Sequence, residues 1–397
     1  MKNVCLFFQI HHPLKLKKYR FFNMGNDTFY LDEFLNKSAI VKSAAQCYDV
    51  ANQILLDQIS KLGKQFKVSF SISGTAIEQI KKYSPKTIES FKALAQTGCV
   101  DFIAETYSHS LASLVNKEEF KKQIERQAEL VEECFGVKPT AFRNTELIYT
   151  SGIGEMVSEF GYDTIITEGA RHILGWKSPN YVYANSLEPK VKLLIRNSSL
   201  CDDLRYRFSD QTWDQWPLST STYAEWAATG EGEVTNIFLD YETFGIHNNA
   251  ESGIFDFLAT LPEAMLSKGI EFKFASEVTK ELQPISALDV VHPISWADEE
   301  RDTTPWLGNE LQREAYNQLY SVRESVERLN DENLNYVWDF LQCSNHFYFM
   351  STKWFSGGSI ANKNPYDSPY EAFINYMNVA SDFIRQVREK IAILDKA

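Results

Sequence analysis

The sequence predicts an α/β protein in which a barrel of seven or eight parallel strands is followed by a bundle of helices. Three observations support this fold class. Short apolar runs alternate with helical patterns up to about residue 274, titratable side chains follow most of these runs, and from about residue 295 the patterns are helical only. Alternating buried strands and helices are typical of parallel βαβ units, and seven or eight such units over this length close into a barrel.

Each predicted strand is a short apolar run, as expected for a strand that is buried on both faces. The candidate strands are Val4–Phe8, Val68–Ser71, Val100–Ile103, Thr140–Phe142, Thr164–Thr167, Lys192–Ile195 and Asn236–Leu239, with Glu271–Phe274 as a weaker eighth. Periodic helices are predicted between them, for example at Lys86–Ala95 and Lys117–Phe135. The connections Lys15–Lys67 and Gly169–Lys190 are long, and long connections in a compact domain are usually functional loops.

Beyond the strands, two apolar stripes predict the C-terminal helices. The first stripe has three- and four-residue spacing and predicts one long amphipathic helix; its members are Leu311, Ala315, Leu319, Val322, Val326 and Leu329. The second stripe runs from Phe373 to Leu394 and predicts a helix that begins at the capping pair Ser368-Pro369. We therefore predict a catalytic barrel at residues 1–290 and, at residues 291–397, a helical bundle that contributes to the active-site cleft.

The composition of the chain limits the kinds of partner that the protein is expected to bind. The net charge of −13 argues against nucleic acid or an anionic membrane as a partner, whereas a neutral, polar substrate remains open. Aromatic residues make up 14% of the chain, which fits stacking against sugar rings but also fits a large α/β core. The six cysteines are scattered without CxxC spacing, and no signal peptide or membrane span is evident, so we expect a cytoplasmic protein.

Polar and titratable side chains collect directly after the predicted strands, where barrel enzymes build their active sites. They are His11 and His12 after the first strand, Glu105 and His109 after the third, Arg143 and Glu146 after the fourth, Glu168 after the fifth, and Asp240 and Glu242 after the seventh. Two carboxylates from two strand ends suggest acid/base or nucleophilic chemistry on a glycosidic bond. Spacing alone does not choose between Asp240 and Glu242, because residues i and i+2 of a strand face the same side.

These residues carry a resemblance to glycoside hydrolase family 57, and in particular to its α-amylase branch. Four matching segments follow the order of the first four family motifs and are His11-His12-Pro13, with His where Gln is usual, Gly98–Glu105 with Tyr107 and His109, Phe142–Glu146, and Asp240–Gly245. The stretch Ser295–Asp298 through Trp306–Asn309 also resembles the α-amylase branch. A fifth family motif can be placed only loosely, around His346–Lys353. One such match alone is weak, but four ordered motifs at strand ends are specific.

The resemblance implies a distorted, TIM-like (β/α)7 barrel with a helical bundle that acts on α-1,4-glucans with retained configuration. It implies Glu146 as the nucleophile and Asp240 as the general acid/base, and it implies neither a metal nor an organic cofactor. Glu242 is then expected to shape the site or to pair with Arg143 or His11. The residues that we predict to contact substrate are His11, His109, Arg143, Glu242, His247, Trp296, His346 and Trp354.

Several alternatives remain open at this stage. A 4-α-glucanotransferase or branching enzyme would share the motifs, and a non-catalytic glucan-binding protein would keep the aromatic residues. A metal-dependent polysaccharide deacetylase or zinc mannosidase needs clustered His and Asp ligands, in patterns such as His-x-Asp, that the sequence lacks. Individual residues also have structural interpretations: His11 and His109 as core histidines, Glu146 as a surface acid, and the tryptophans as interdomain packing.

Overall fold

Two β-sheets form the centre of the protein. Within the part of the chain that the computed structural model describes, residues 2–353 and 364–396, the strands are β1 (Lys2–Ile10), β2 (Val68–Ile72), β3 (Val100–Phe102), β4 (Phe142–Arg143), β5 (Thr164–Thr167), β6 (Val182–Asn185), β7 (Lys192–Ile195), β8 (Val234–Asp240), β9 (Ile270–Phe272) and β10 (Ala287–Leu288). One sheet has the order β3-β2-β1-β8, with β9 also paired to β1, and the other has the order β10-β6-β7-β5-β4.

Helices connect the strands and form the C-terminal part of the described chain. They are α1 (Glu33–Ser43), α2 (Asp49–Leu62), α3 (Gly74–Tyr83), α4 (Pro85–Gln96), α5 (Lys117–Phe135), α6 (Ser151–Glu159), α7 (Arg171–Leu174), α8 (Ser198–Asp202), α9 (Thr220–Thr229), α10 (Ile254–Ser267), α11 (Ala275–Glu281), α12 (Thr304–Leu307), α13 (Glu310–Tyr320), α14 (Arg323–Leu329), α15 (Glu332–Leu341), α16 (Ser344–Tyr348) and α17 (Pro369–Leu394).

The two sheets meet through two isolated parallel bridges, Ala104 with Phe142 and Arg196 with Asn236. Strands β1, β2, β3, β4, β5, β7 and β8 therefore surround a common interior and run parallel where they pair. Apolar side chains from both sheets fill this interior, among them Phe7, Ile166 and Phe238. The predicted TIM-like seven-stranded barrel with C-terminal helices is confirmed.

All eight candidate strands overlap observed strands, but two further strands were not predicted. Strand β6 runs antiparallel to β7, and β10 pairs with β6. Both predicted long loops also contain regular structure: Lys15–Lys67 holds α1 and α2, and Gly169–Lys190 holds α7 and β6. The six cysteines are buried and unpaired, as small apolar core residues are.

The C-terminal helices differ from the predicted pattern at one point. The stripe from Leu311 to Leu329 is divided between α13 and α14, because the helix is interrupted at Ser321 and Val322. The second stripe is confirmed as the single helix α17, whose N-terminal residue Ser368 accepts a hydrogen bond from the Glu371 backbone at 3.1 Å. None of the helices in the described ranges is both long and apolar enough to cross a membrane.

One hydrophobic cluster joins the C-terminal helices to half of the barrel. It includes Phe142 and Leu193 on barrel strands together with Trp338, Tyr376 and Phe383 on α15 and α17. A second cluster lies between the other barrel strands and helices α2, α3, α4 and α10. The helices therefore cover β4, β5 and β7 from outside, and their continuation at α16 approaches the carboxyl ends of the strands.

Candidate active site

A large cavity opens at the carboxyl ends of the parallel strands. Its volume is about 1070 Å³. Seven of the predicted site residues line it: His11, His109, Glu146, Asp240, Glu242, His247 and Trp296. These side chains come from segments that are far apart in sequence, so the fold brings the motifs to one place. Their convergence is the arrangement that catalytic residues adopt in parallel barrels.

Glu146 lies on a single 3-10 turn, Thr145–Leu147, directly after β4. Its backbone is left-handed, with φ 55° and ψ 24°, a conformation that is costly for residues other than glycine. Trp296 holds both ends of the residue: its Nε1 donates to Glu146 Oε2 at 2.6 Å, and its backbone nitrogen donates to the Glu146 carbonyl at 3.2 Å. The second carboxylate oxygen, Oε1, is 3.2 Å from His109 Nε2. Glu146 is thus a fixed carboxylate in the cavity wall.

His109 connects Glu146 to a buried carboxylate. Its Nδ1 is 3.2 Å from Glu105 Oε2, and the same oxygen accepts a hydrogen bond from Arg143 Nη2 at 3.3 Å. The other oxygen of Glu105 accepts from the Ser71 hydroxyl at 2.8 Å. Arg143 and Glu105 are fully buried. Arg143 therefore lies behind the cavity wall, which differs from the prediction that it contacts substrate.

His11 covers His109 and links the first strand to the C-terminal part of the chain. The two imidazole rings stack with centroids 4.0 Å apart and an interplanar angle of 16°. Nδ1 of His11 is 2.8 Å from the Ser73 hydroxyl and its Nε2 is 3.1 Å from Asn345 Oδ1. Burial, and next the nearby His109, hold the pKa of His11 well below its usual value, so this ring is neutral. Asn345 lies on α16, and no sequence signal had singled it out.

Asp240 is the last residue of β8 and lies opposite Gln9 of β1. Arg205 Nε donates to Asp240 Oδ2 at 3.1 Å, and His247 Nε2 is 3.9 Å from the same oxygen. After Asp240 the chain makes the turn that ends at Gly245, where φ is 108°. A Cβ at this position would lie 1.9 Å from the Gln46 carbonyl oxygen, so only glycine fits.

Glu242 faces the cavity two residues after Asp240 but has different partners. The Tyr48 hydroxyl donates to Glu242 Oε1, and His12 Nε2 lies 2.6 Å from that hydroxyl and 3.5 Å from Oε1. The predicted pairing of Glu242 with Arg143 or His11 is therefore replaced by a Tyr48–His12 pair. Burial, and next the charge of Asp240, raise the pKa of Glu242 to about 7. Glu242 is thus a carboxyl group that exchanges a proton near neutral pH.

His346 does not line the cavity, although it was predicted to contact substrate. His346 is buried, and its Nε2 donates to the Phe340 carbonyl at 3.0 Å, so it packs inside the C-terminal helices away from the cavity. Burial lowers the pKa of His346 to about 4, which keeps the ring neutral. Trp354 lies outside the described residues. The C-terminal part of the chain instead reaches the cavity through Trp296, Trp306, Asn345 and Tyr348.

Sequence reasoning missed several other residues of the cavity wall. Among them are Gln9, Arg196, Arg205 and Tyr206. Arg196 had a detectable signal, since it is a charged residue directly after a buried strand; it donates to Glu168 Oε2 at 3.1 Å and to Asp202 Oδ1 at 2.9 Å. Gln9 had a weaker signal, as a polar residue within an apolar run.

The side chains of the described residues do not form a metal-binding cluster. Among residues 2–353 and 364–396, no group of three or more His, Cys, Asp or Glu side chains is arranged to hold a metal ion. The segment 354–363 contains none of these residue types in its sequence. Zinc sites use three or four such ligands, and the described residues offer no such set of side chains.

Comparisons with known proteins agree with the family that the motifs of the site resemble. The sequence model of glycosyl hydrolase family 57 matches residues 5–290. A protein of Methanocaldococcus jannaschii, provisionally named as an alpha-amylase, is 40% identical over 402 residues, covering 97% of this chain and 85% of that protein.

Two solved structures have the same fold at low sequence identity. A branching enzyme from Thermococcus kodakaraensis, solved in complex with glucose, aligns with a TM-score of 0.66 at 15% identity over 97% of this chain and 90% of its own. An alpha-amylase from Thermotoga maritima aligns with a TM-score of 0.58 at 14% identity over 100% of this chain and 98% of its own.

Proposed function

The chain belongs to glycosyl hydrolase family 57 and is a glycoside hydrolase, and from this premise we propose that it cleaves α-1,4-glucosidic bonds in starch- or glycogen-type glucans with retained configuration. The observation that carries the proposal is that Glu146 and Asp240, from opposite sheets, line one cavity. The 40% identical relative, provisionally named as an alpha-amylase, supports the choice of substrate.

In the proposed reaction, Glu146 attacks the anomeric carbon while Asp240 gives a proton to the departing glycosidic oxygen. A covalent glycosyl-enzyme results, and water then attacks the same carbon while Asp240 takes up its proton. The retained configuration follows because the carbon is inverted twice. The hydrogen bond from Trp296 Nε1 and the contact with His109 fix the Glu146 carboxylate before substrate arrives, so little reorganisation is needed at attack.

The cavity suits an uncharged chain of sugars. Its volume is about 1070 Å³, slightly above the roughly 300–1,000 Å³ of small-molecule sites, which leaves room for more than one ring. Its wall combines the aromatic rings of Trp296, Trp306 and Tyr348 with hydrogen-bonding groups such as Gln9 and Asn345. Apolar sugar faces pack on such rings, while sugar hydroxyls bind the polar groups.

We expect the protein to convert maltoheptaose into shorter maltooligosaccharides whose new reducing ends are initially α-anomers. Chromatography of early products gives their length, and proton NMR recorded before mutarotation gives their configuration. Early β-anomers would contradict the retaining mechanism. Products longer than maltoheptaose would show that a sugar hydroxyl, not water, resolves the intermediate, as in a glucanotransferase or branching enzyme.

Activity on maltoheptaose should survive prolonged dialysis against EDTA. The reason is that the proposed nucleophile and acid are carboxyl groups, and the described residues offer no set of three metal ligands. A zinc peptidase treated in the same dialysis serves as the control for metal removal. Loss of maltoheptaose cleavage that zinc restores would contradict the two-carboxylate mechanism, whereas release of acetate or mannose from a matching substrate by the zinc-treated protein would support the metal-dependent deacetylase or mannosidase alternative.

A further inference from the structure

His109 has no ring nitrogen left for a sugar hydroxyl. Its Nδ1 and Nε2 each lie 3.2 Å from a carboxylate oxygen, of Glu105 and Glu146 respectively. Two acceptors can both be satisfied only by the doubly protonated ring, in which both nitrogens donate. Burial alone would lower the pKa of His109, but its hydrogen bonds and charge interactions with Glu105 and Glu146 raise it. The prediction of a substrate-binding histidine therefore gives way to a different role.

Glu105, on the interior side of His109, stabilises the positive charge of the His109 ring. Burial would raise its pKa, but the charge of Arg143 and the hydrogen bond with His109 lower it, so Glu105 is ionised. A row of alternating charges then runs from the barrel interior to the cavity wall. Its members, in order, are Arg143, Glu105, His109 and Glu146. Buried charges are tolerated when each has a partner in this way.

The surrounding structure leaves His109 little freedom to move. Its backbone has φ 52°, and its carbonyl accepts a hydrogen bond from the Ser344 backbone at 3.0 Å. The hydroxyls of Thr106 and Thr145, 2.6 Å apart, tie the loop of His109 to the loop of Glu146. The neutral ring of His11 covers one face of His109. These contacts hold the backbone of His109, its loop and one face of its ring next to the loop of Glu146.

We propose that Glu105 and His109 are positioning residues, which orient the Glu146 carboxylate and keep a positive charge against it throughout turnover. This inference rests on the proposed function, in which Glu146 is the nucleophile. In the first step the carboxylate forms the bond to the anomeric carbon and loses its charge. In the second step that bond breaks, the electron pair returns to Glu146, and the charge reappears. A positive group beside Glu146 stabilises this leaving carboxylate, so it assists the second step most.

The variant Glu105→Gln tests the proposal with α-maltosyl fluoride, whose cleavage needs little acid assistance and exposes the second step. We expect kcat to fall by on the order of tenfold, with KM falling alongside it, and the covalent glycosyl-enzyme to accumulate in intact-protein mass spectra. The matched control is Glu119→Gln, a buried carboxylate bonded to Gln123, Trp338 and Gln342, which should keep wild-type values. A loss of kcat/KM at unchanged KM without the adduct would overturn the proposal.

The pH profile provides a readout that a purely structural role would not change. Because the pKa of His109 is raised, its charge is present at low pH and is lost as pH rises through the folded value. Removing the Glu105 charge lowers that pKa, so the alkaline limb of kcat should move to lower pH. The other groups that face this pair are Glu146, His11, Arg143 and, beside His11, the Cys343 thiol.

Nitrogen-15 NMR of histidine-labelled protein decides the same point on the unaltered wild-type site, and a variant is used only to assign the signals. Both ring nitrogens of His109, assigned by comparison with His109→Gln, should have imidazolium shifts at pH 7. A neutral His109 at pH 7 would overturn the proposal. If the wild-type chain released no fluoride, the proposed function would fail on its own, and the NMR result would still determine whether the charge is present.

Discussion

Replacement of Glu146 by alanine is expected to lower kcat on maltoheptaose by more than about three orders of magnitude, because the variant has no group to attack the anomeric carbon. The protein should stay folded, since the Glu146 side chain lines the cavity and its donors, Trp296 Nε1 and His109 Nε2, can bind water there. Initial rates measure the loss, and thermal unfolding measured in parallel reports on the fold. Glu119→Gln is again the control for loss of a buried charge remote from the cavity.

Azide provides a second test of Glu146 as the nucleophile. In Glu146→Ala the removed side chain leaves space for a small anion to attack α-maltosyl fluoride directly, and one displacement gives the β-glycosyl azide. NMR of the isolated azide distinguishes this product from the α-anomer. Wild-type-like hydrolysis with unchanged melting would place the nucleophile on another residue.

The second large effect is expected for Asp240→Asn. A general acid matters most when the leaving group is poor, so the variant should lose almost all activity on maltoheptaose but retain the first step with α-maltosyl fluoride. Deprotonation of water in the second step then limits turnover, and the glycosyl-enzyme on Glu146 should accumulate. Azide needs no deprotonation and should restore turnover. Its product should be the α-glycosyl azide, because two displacements have occurred.

Glu242→Gln is the matched comparison, since Glu242 faces the same cavity two residues along the turn. Its pKa of about 7 suits a group that gives and takes protons near neutral pH, so geometry and charge alone keep it a rival for the acid role. The resemblance to the family motif implies Asp240 for that role, and the comparison of the two variants tests this prediction. We expect Glu242→Gln to lower activity on both substrates in similar proportion, with no azide rescue. Leaving-group dependence and rescue at Glu242 alone would move the acid to that residue.

The barrel was predictable because its strands are buried on both faces. A strand such as Thr164–Thr167 or Lys192–Ile195 has to be an apolar run, and both were located to the residue. Strand β10 is different, since Ala287 is exposed and the strand has only two residues, so no run marks it. The interruption between α13 and α14 also left no trace, because the apolar spacing continues across it.

Site residues that directly follow a strand could be predicted from the sequence. Residues whose place depends on packing between distant segments were predicted less well. Strand ends indicated Glu146, Asp240 and Glu242, because parallel strands bring their carboxyl ends together. Arg143 shows the limit: it lies three residues before Glu146, yet its side chain points into the barrel interior and is fully buried. His346 lies in an aromatic segment that fits a core and a cavity wall equally well. Which of the two it joins depends on packing between distant segments.

The shared hydrophobic cluster of the barrel and the C-terminal helices has a consequence for the order of assembly during synthesis. The strands β4, β5 and β7 leave the ribosome long before α15 and α17, whose Trp338, Tyr376 and Phe383 cover them. Until then the nascent barrel carries an uncovered apolar flank, and His11 lacks its Asn345 partner. The strands β4, β5 and β7 and the site residue His11 thus reach their final packing only after the helices that carry Trp338 and Asn345 have been made.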